Sequence, residues 1–201
     1  MRANKENNVF QIRIHGRGGQ GVVSGAEMLS VAAFLEGKHS QAFPSFGSER
    51  MGAPVMAFCR ISDREIRLRE PVTEPDALII QDPTLLHQVD LFRGLADSGY
   101  ILINSSRSFE ELGLADLVDG RPPERMLTVP ASEIALRHIG RPLPNAALLG
   151  GFAALSGQIG LDSLLQAIAM KFPGKIGQDN LLAARAAYEE IIEGIRNAAT
   201  N

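Results

Sequence analysis

A short alternating stretch, Val9-Phe10-Gln11-Ile12-Arg13-Ile14, runs directly into His15-Gly16-Arg17-Gly18-Gly19-Gln20-Gly21-Val22-Val23, and no other segment limits the fold so strongly. Alternation of apolar and polar residues marks a half-buried strand, here over 9–15. Four glycines within six residues then let the backbone take positive φ and bring its N–H groups close to another molecule. Val22, Ala26, Leu29 and Ala33 recur at the spacing of a buried helical face, which predicts a helix over 20–36 closed by Gly37. Strand, glycines and helix in this order place unpaired amides at a helix N-terminus, where a phosphate or carboxylate is cradled. Gly25 inside the helix costs about 1 kcal/mol relative to alanine, so it predicts close contact with a strand or another chain.

Residues 39–53, HSQAFPSFGSERMGA, keep neither the period of a strand nor that of a helix after a short strand at 40–43. A long irregular stretch inside a compact domain is usually functional. Phe43, Phe46 and Met51 suit a loop buried against a partner, and Glu49 and Arg50 add charge, so this is a second site element. Residues 54–69 read as a hairpin, with VMAFCRIS as one arm, Asp63-Arg64 as the turn and 65–69 as an arm with one wet face. Buried strands follow at 77–80, 100–103 and 126–129. Asp82 ends the first of them and either faces a ligand beyond the sheet or caps a helix over 83–94. A short helix at 132–138 precedes three longer ones. They cover 146–156 with Asn145 as cap and Gly150-Gly151 for close packing, 161–172 with Asp162 as cap, and 178–196. The last sets Leu181, Leu182, Ala186, Ile192 and Ile195 along one side. This order predicts an α/β fold: a Rossmann-like, mainly parallel sheet flanked by helices, with a β-hairpin excursion and a helical C-terminal third, in a single domain over 1–201.

Charge and cysteine content exclude several function classes. With 20 Lys and Arg against 23 Asp and Glu and no basic run, the chain carries no footprint for nucleic acid. Cys59 is the only cysteine, too few for a disulfide, a zinc cluster or an iron–sulfur cluster, and its alternating position predicts a small buried apolar side chain. The polar start MRANKENNVF and the lack of a long apolar run predict neither a secretory signal nor a membrane span, and hence a cytoplasmic protein.

Gly16, Gly18 and Gly21 satisfy the GxGxxG spacing of a dinucleotide site, which also needs an acid at the end of the second strand to hold a ribose. Glu36 has nearly that offset but ends the first helix, so a free-standing NAD(P)- or other nucleotide-binding protein is the second reading. No GxSxG or HExxH is present, and His15, His39, His87 and His138 are widely separated. His15 is predicted to bond loop backbone. The chain is therefore not expected to act alone.

The two loops together, GRGGQGVVSGAEMLSVAAF and PSFGSERMGAPVMAFCRISD, resemble the gamma subunit of 2-oxoacid:ferredoxin oxidoreductases of the pyruvate and ketoisovalerate type. The likeness extends to Asp82-Pro83 and the helix after Asn145. It implies a heteromer that oxidatively decarboxylates a 2-oxoacid to an acyl-CoA, using thiamine diphosphate, Mg and 4Fe-4S clusters held by alpha, beta and ferredoxin-like delta subunits. It implies that this chain contributes to the coenzyme A and active-site entrance through Gly16, Arg17, Gly18, Gly19, Gln20 and Gly21, together with Glu49, Arg50 and Gly52. Arginine suits an anion in fork geometry. Where many relatives carry a second arginine, Met51 stands here, facing either an interface or a substrate larger or more apolar than pyruvate, branched or aromatic.

Overall fold

The structure, a computed structural model, describes residues 9–45 and 51–198. Glu49 and Arg50 lie outside the described residues. Six strands form one sheet: β1 (Phe10–Arg17), β2 (His39–Pro44), β3 (Pro54–Ser62), β4 (Ala77–Ile80), β5 (Tyr100–Asn104) and β6 (Met126–Val129), in the order β2-β3-β1-β4-β5-β6. β1, β4, β5 and β6 pair in parallel, and β3 runs against both its neighbours. The helices are α1 (Val22–Leu35), α2 (Ala115–Val118), α3 (Ala131–Ile139), α4 (Asn145–Ser156), α5 (Leu161–Lys171) and α6 (Gly174–Ala198). The expected α/β architecture is the one observed.

Alternation along the strands separates two cores. Ile12, Ile14, Ala57, Cys59, Ala77, Ile79, Leu102 and Val129 face the side covered by α1, α4, α5 and α6. Leu78, Ile80, Ile101, Ile103 and Met126 face the other, where Leu85, Leu91, Leu95, Phe109 and Leu112 come from irregular segments. α4 is buried on all sides, as its unbroken apolar sequence requires. Gly150 lies where the backbone of α6 crosses at Ala184, and Gly151 lies against Leu102 and Val129 of the sheet.

The antiparallel excursion exists, but its arms differ from the expectation. β3 is buried from Ala57 to Ser62 and pairs on both sides, with β2 and β1. Residues 65–69 form no strand, because side chains take their carbonyls: Gln41 Nε2 donates to Ile66 O, and the Arg60 guanidinium to Leu68 O and Glu70 O. The helix expected over 83–94 shrinks to a 3₁₀ turn at Pro83–His87. Beyond it, the carbonyls of Leu91 and Arg93 accept from buried Arg13 instead of from a helical ladder. α6 starts earlier than expected and buries Ala183, Ala184, Ala187 and Ile191, while Leu182 is exposed. Close approach to α4 selects the small side chains for the inner face. Asp162 sits in the first turn of α5, whose cap is Gly160. Gly25 meets only Asn145 Oδ1 at 3.5 Å and Ile14 Cδ1 at 3.8 Å, so the described chain leaves room there for a methyl group.

Candidate functional site

The parallel register sets His15 beside Ile80, so the glycines that follow β1 emerge next to Gln81 and Asp82 at the carboxyl end of β4. Gly19 and Gly21 hold φ of 89° and 73°, conformations that an L side chain resists. Gly21 is the residue from which α1 starts, and no side chain caps that helix. Its carbonyl accepts from Asn145 Nδ2 at 2.9 Å. Asn145 is thus the first residue of α4 rather than its cap, and it ties the start of one helix to the start of the other.

Among the described residues, no group accepts from the backbone N–H of Gly19, Gly21, Val22, Val23 or Ser24. The first turn of α1 also contains no acidic residue. The positive end of the helix dipole is therefore unspent. Of these residues, Gly19, Gly21 and Ser24 line a cleft of about 590 Å³ together with Arg141, Leu143 and Asn145, among others. Arg141 is an exposed cation on the rim, and Asp179 on the α6 wall is paired with Lys175 at 3.0 Å. Such a cleft can take a ligand with an anionic end and an apolar flank.

Residues 51–53, at the end of the second loop, are held against the first. Gly18 N donates to Ala53 O at 2.9 Å and Gly52 N to Gly18 O at 3.0 Å. Met51, 86% exposed, leans over Gly19, where its Cε and Sδ would crowd any Cβ at 2.8 and 2.9 Å. Arg17, unlike the amides, is engaged within the chain through four of its five N–H donors. Its Nε donates to Asp82 Oδ2 at 3.1 Å, Nη1 to Gly52 O at 3.0 Å, and Nη2 to Thr84 Oγ1 and Gln88 Oε1 at 2.7 and 3.0 Å. Gln20 Oε1 accepts from Arg17 N at 2.8 Å while its Nε2 donates to Asp82 Oδ2 at 2.9 Å. Asp82 also caps the 3₁₀ turn through Thr84 N. Burial pushes the Asp82 carboxyl up, but hydrogen bonds from Thr84 and Gln20 and the charge of Arg17 outweigh it and leave the group below its usual range.

Other candidates fall to structural roles. Glu36 accepts from Gly160 N and pairs with Lys38 at 3.1 Å, so it is not offered to a ribose. His15 is buried without a partner for Nε2, contrary to the expected bond to the loop; burial, then the nearby charge of Arg13, pushes its pKa down to about 3. Cys59 is fully buried, which pushes its thiol up to about 12. No group of three or more metal-ligating side chains occurs among the described residues, and no described helix is long and apolar enough to cross a membrane. Arg141 and the part played by Asn145 were not legible as site features, since they lie more than a hundred residues from the loop and match no motif.

The chain is similar to known proteins along most of its length. Residues 11–190 match the family described as pyruvate ferredoxin/flavodoxin oxidoreductase. The chain is 48% identical to pyruvate synthase subunit PorC of Methanothermobacter thermautotrophicus, over 91% of this chain and 96% of that one. It is 45% identical to the pyruvate/ketoisovalerate oxidoreductases common subunit gamma of Pyrococcus furiosus, over 90% and 97%. It superposes on the crystal structure of pyruvate oxidoreductase subunit PORC from Thermotoga maritima with a TM-score of 0.75 and 34% identity, over 90% and 96% of the two chains. Matched along almost its whole length, with both loops inside the matched span, the chain belongs to the pyruvate ferredoxin/flavodoxin oxidoreductase family.

Proposed function

We propose that this chain is the gamma subunit of a multi-subunit, CoA-dependent 2-oxoacid:acceptor oxidoreductase and that its glycine loop forms one wall of the entrance used by coenzyme A and the 2-oxoacid. The observation that carries the reading is the set of unpartnered amides at Gly19, Gly21 and Ser24, in residues that line the cleft beside Arg141. Coenzyme A is a polyanion with an extended, partly apolar arm, and a helix N-terminus with an arginine at its rim suits its phosphates. When bound, it supplies the thiol that accepts the acyl group; this chain's part is to bind and orient it. Thiamine diphosphate, Mg and 4Fe-4S clusters belong on this reading to alpha, beta and ferredoxin-like delta subunits. The donor chemistry here agrees with that division, since one cysteine buried in β3 cannot ligate a cluster. Pyruvate is named for the relatives, with ketoisovalerate beside it for that of Pyrococcus furiosus, and the exposed Met51 at the mouth of the loop keeps a more apolar substrate within the proposal.

The test is purification of the native complex through a tag on this chain, followed by steady-state kinetics. Arg141→Ala is expected to raise KM for coenzyme A about tenfold, the loss of one charge-assisted contact, with little change in kcat. Arg50→Ala is expected to raise KM for coenzyme A or for the oxoacid. Unchanged constants in both variants, or recovery of the chain alone with tightly bound NAD, would sink the proposal.

A further inference from the structure

We infer that Arg17 and Asp82 form a latch that sets the second loop in register with the glycine loop, making them positioning residues for the entrance rather than ligand contacts. The inference rests on the function proposed above only for its kinetic consequence; the latch itself is a matter of geometry.

The register of β1 and β4 continues past their ends. Two residues beyond the His15–Ile80 pair stand Arg17 and Asp82, at the same height and on the same face. The two side chains meet there in a half-sheltered place, 22% and 12% exposed. Both also bond Thr84 of the 3₁₀ turn, and each reaches one further loop. The Arg17 fork reaches the carbonyl of Gly52 from the second loop and the side chains of Thr84 and Gln88 from the turn after β4. Asp82 Oδ2 takes Gln20 Nε2 from the glycine loop, and Oδ1 takes the amide and hydroxyl of Thr84. One ion pair thus joins three segments: the glycine loop, residues 51–53 and the 3₁₀ turn.

The Gly52 carbonyl would otherwise be held only through its neighbours, because Gly18 pairs with the Gly52 amide and the Ala53 carbonyl but not with the Gly52 carbonyl. Without Arg17, residues 51–53 keep their two-bond bridge to Gly18 and lose the third bond, at the Gly52 carbonyl. A lysine retains the charge but not the fork, so it can satisfy Asp82 or Gly52 but not Gly52, Thr84 and Gln88 together. The arginine is required for its geometry. Four of the five N–H donors of Arg17 are used inside the chain, so a ligand could turn the guanidinium toward itself only by breaking this network.

The test uses the full-length chain, alone and in its complex. Hydrogen exchange at the amides of Gly18 and Gly52 is measured in Arg17→Met and in the near-isosteric Asp82→Asn, which keeps the fold if Arg17→Met does not. Both variants are expected to lose about tenfold in protection at these amides while the core of α4 keeps its own. The double variant is expected to lose no more than the worse single one, because the residues act as a unit. Wild-type protection in both variants overturns the latch. In the complex, each variant is expected to raise KM for coenzyme A about tenfold through misplacement of the wall, and Arg17→Lys is expected to restore less than half of the loss. If KM rises while protection is unchanged, Arg17 touches the ligand and the latch is wrong. If protection falls while KM for coenzyme A and oxoacid stays the same, the latch stands and the proposed entrance is wrong.

Discussion

Two stretches of this chain are rich in glycine, the loop at 16–21 and the pair at 150–151 in α4, and they need glycine for different reasons. In the loop the requirement is conformational and chemical: Gly19 and Gly21 hold positive φ, and the amides beyond them are left without partners. In α4 the backbone is ordinary helix, and the requirement is space, because the carbonyl of Ala184 in α6 occupies the place of a Cβ on Gly150. The first use costs stability and leaves an unsatisfied helix end, which only a ligand or partner repays. The second increases stability, since it lets two helices and the sheet pack without a void. A glycine pair in the sequence therefore says little until it is known what stands opposite.

The comparison can be broken experimentally. Gly150→Ala forces the new methyl group into the backbone of α6, which cannot give as a side-chain tip can. It is expected to cost about 3 kcal/mol or to prevent folding, read as a fall in the denaturation midpoint. Gly21→Ala places a side chain in left-handed backbone against Asn145 Nδ2. It is expected to cost about 2 kcal/mol in stability and to weaken coenzyme A binding by the complex beyond that. An equal loss of stability in the two variants, with binding intact, would erase the distinction between them.

A smaller effect separates the foot of the loop from the loop itself. His15 is neutral in the folded protein down to about pH 3, whereas in the unfolded chain it takes up a proton near its ordinary value of 6.5. The unfolded state binds more protons in that window, so stability is expected to fall as pH drops below 6.5, by about 1 kcal/mol between pH 7 and 5.5 from this group alone. His15→Phe is expected to flatten that part of the profile; denaturation curves of both proteins across the range decide it. The smallest effect has the opposite sign. Gly25→Ala has room for its methyl group beside Asn145 and Ile14 and is expected to stabilise α1 by about 0.5 kcal/mol. If it instead disrupts the assembled complex, another subunit approaches the helix there.

What could be read in advance followed short-range rules. The strand, glycine loop and helix at the start, the apolar strands 77–80, 100–103 and 126–129, and the buried α4 all rest on local periodicity, and all are present. The segments that went astray were those whose backbone is satisfied by distant side chains. Arg60 and Gln41 take the carbonyls of 66, 68 and 70, and Arg13 takes those of 91 and 93, so an alternating pattern gave no strand and an amphipathic one gave no helix. The inner face of α6 was misplaced for a related reason: closeness to α4 favours Ala183, Ala184 and Ala187 over the larger Leu182.

By itself the amino-acid sequence determined that a strand runs into a glycine loop at a helix start, that one cysteine cannot hold a cluster, and which family the two loops resemble. Those are properties of neighbours along the chain. Only the tertiary structure decided which groups of the loop are free. Arg17 looked like a ligand contact until the β1–β4 register set it beside Asp82, and the amides proved open only once α4 and α6 closed the cleft with Arg141 at its rim. Whether a polar group is spent or available depends on what folding brings within hydrogen-bond distance, and that distance is not written in sequence separation.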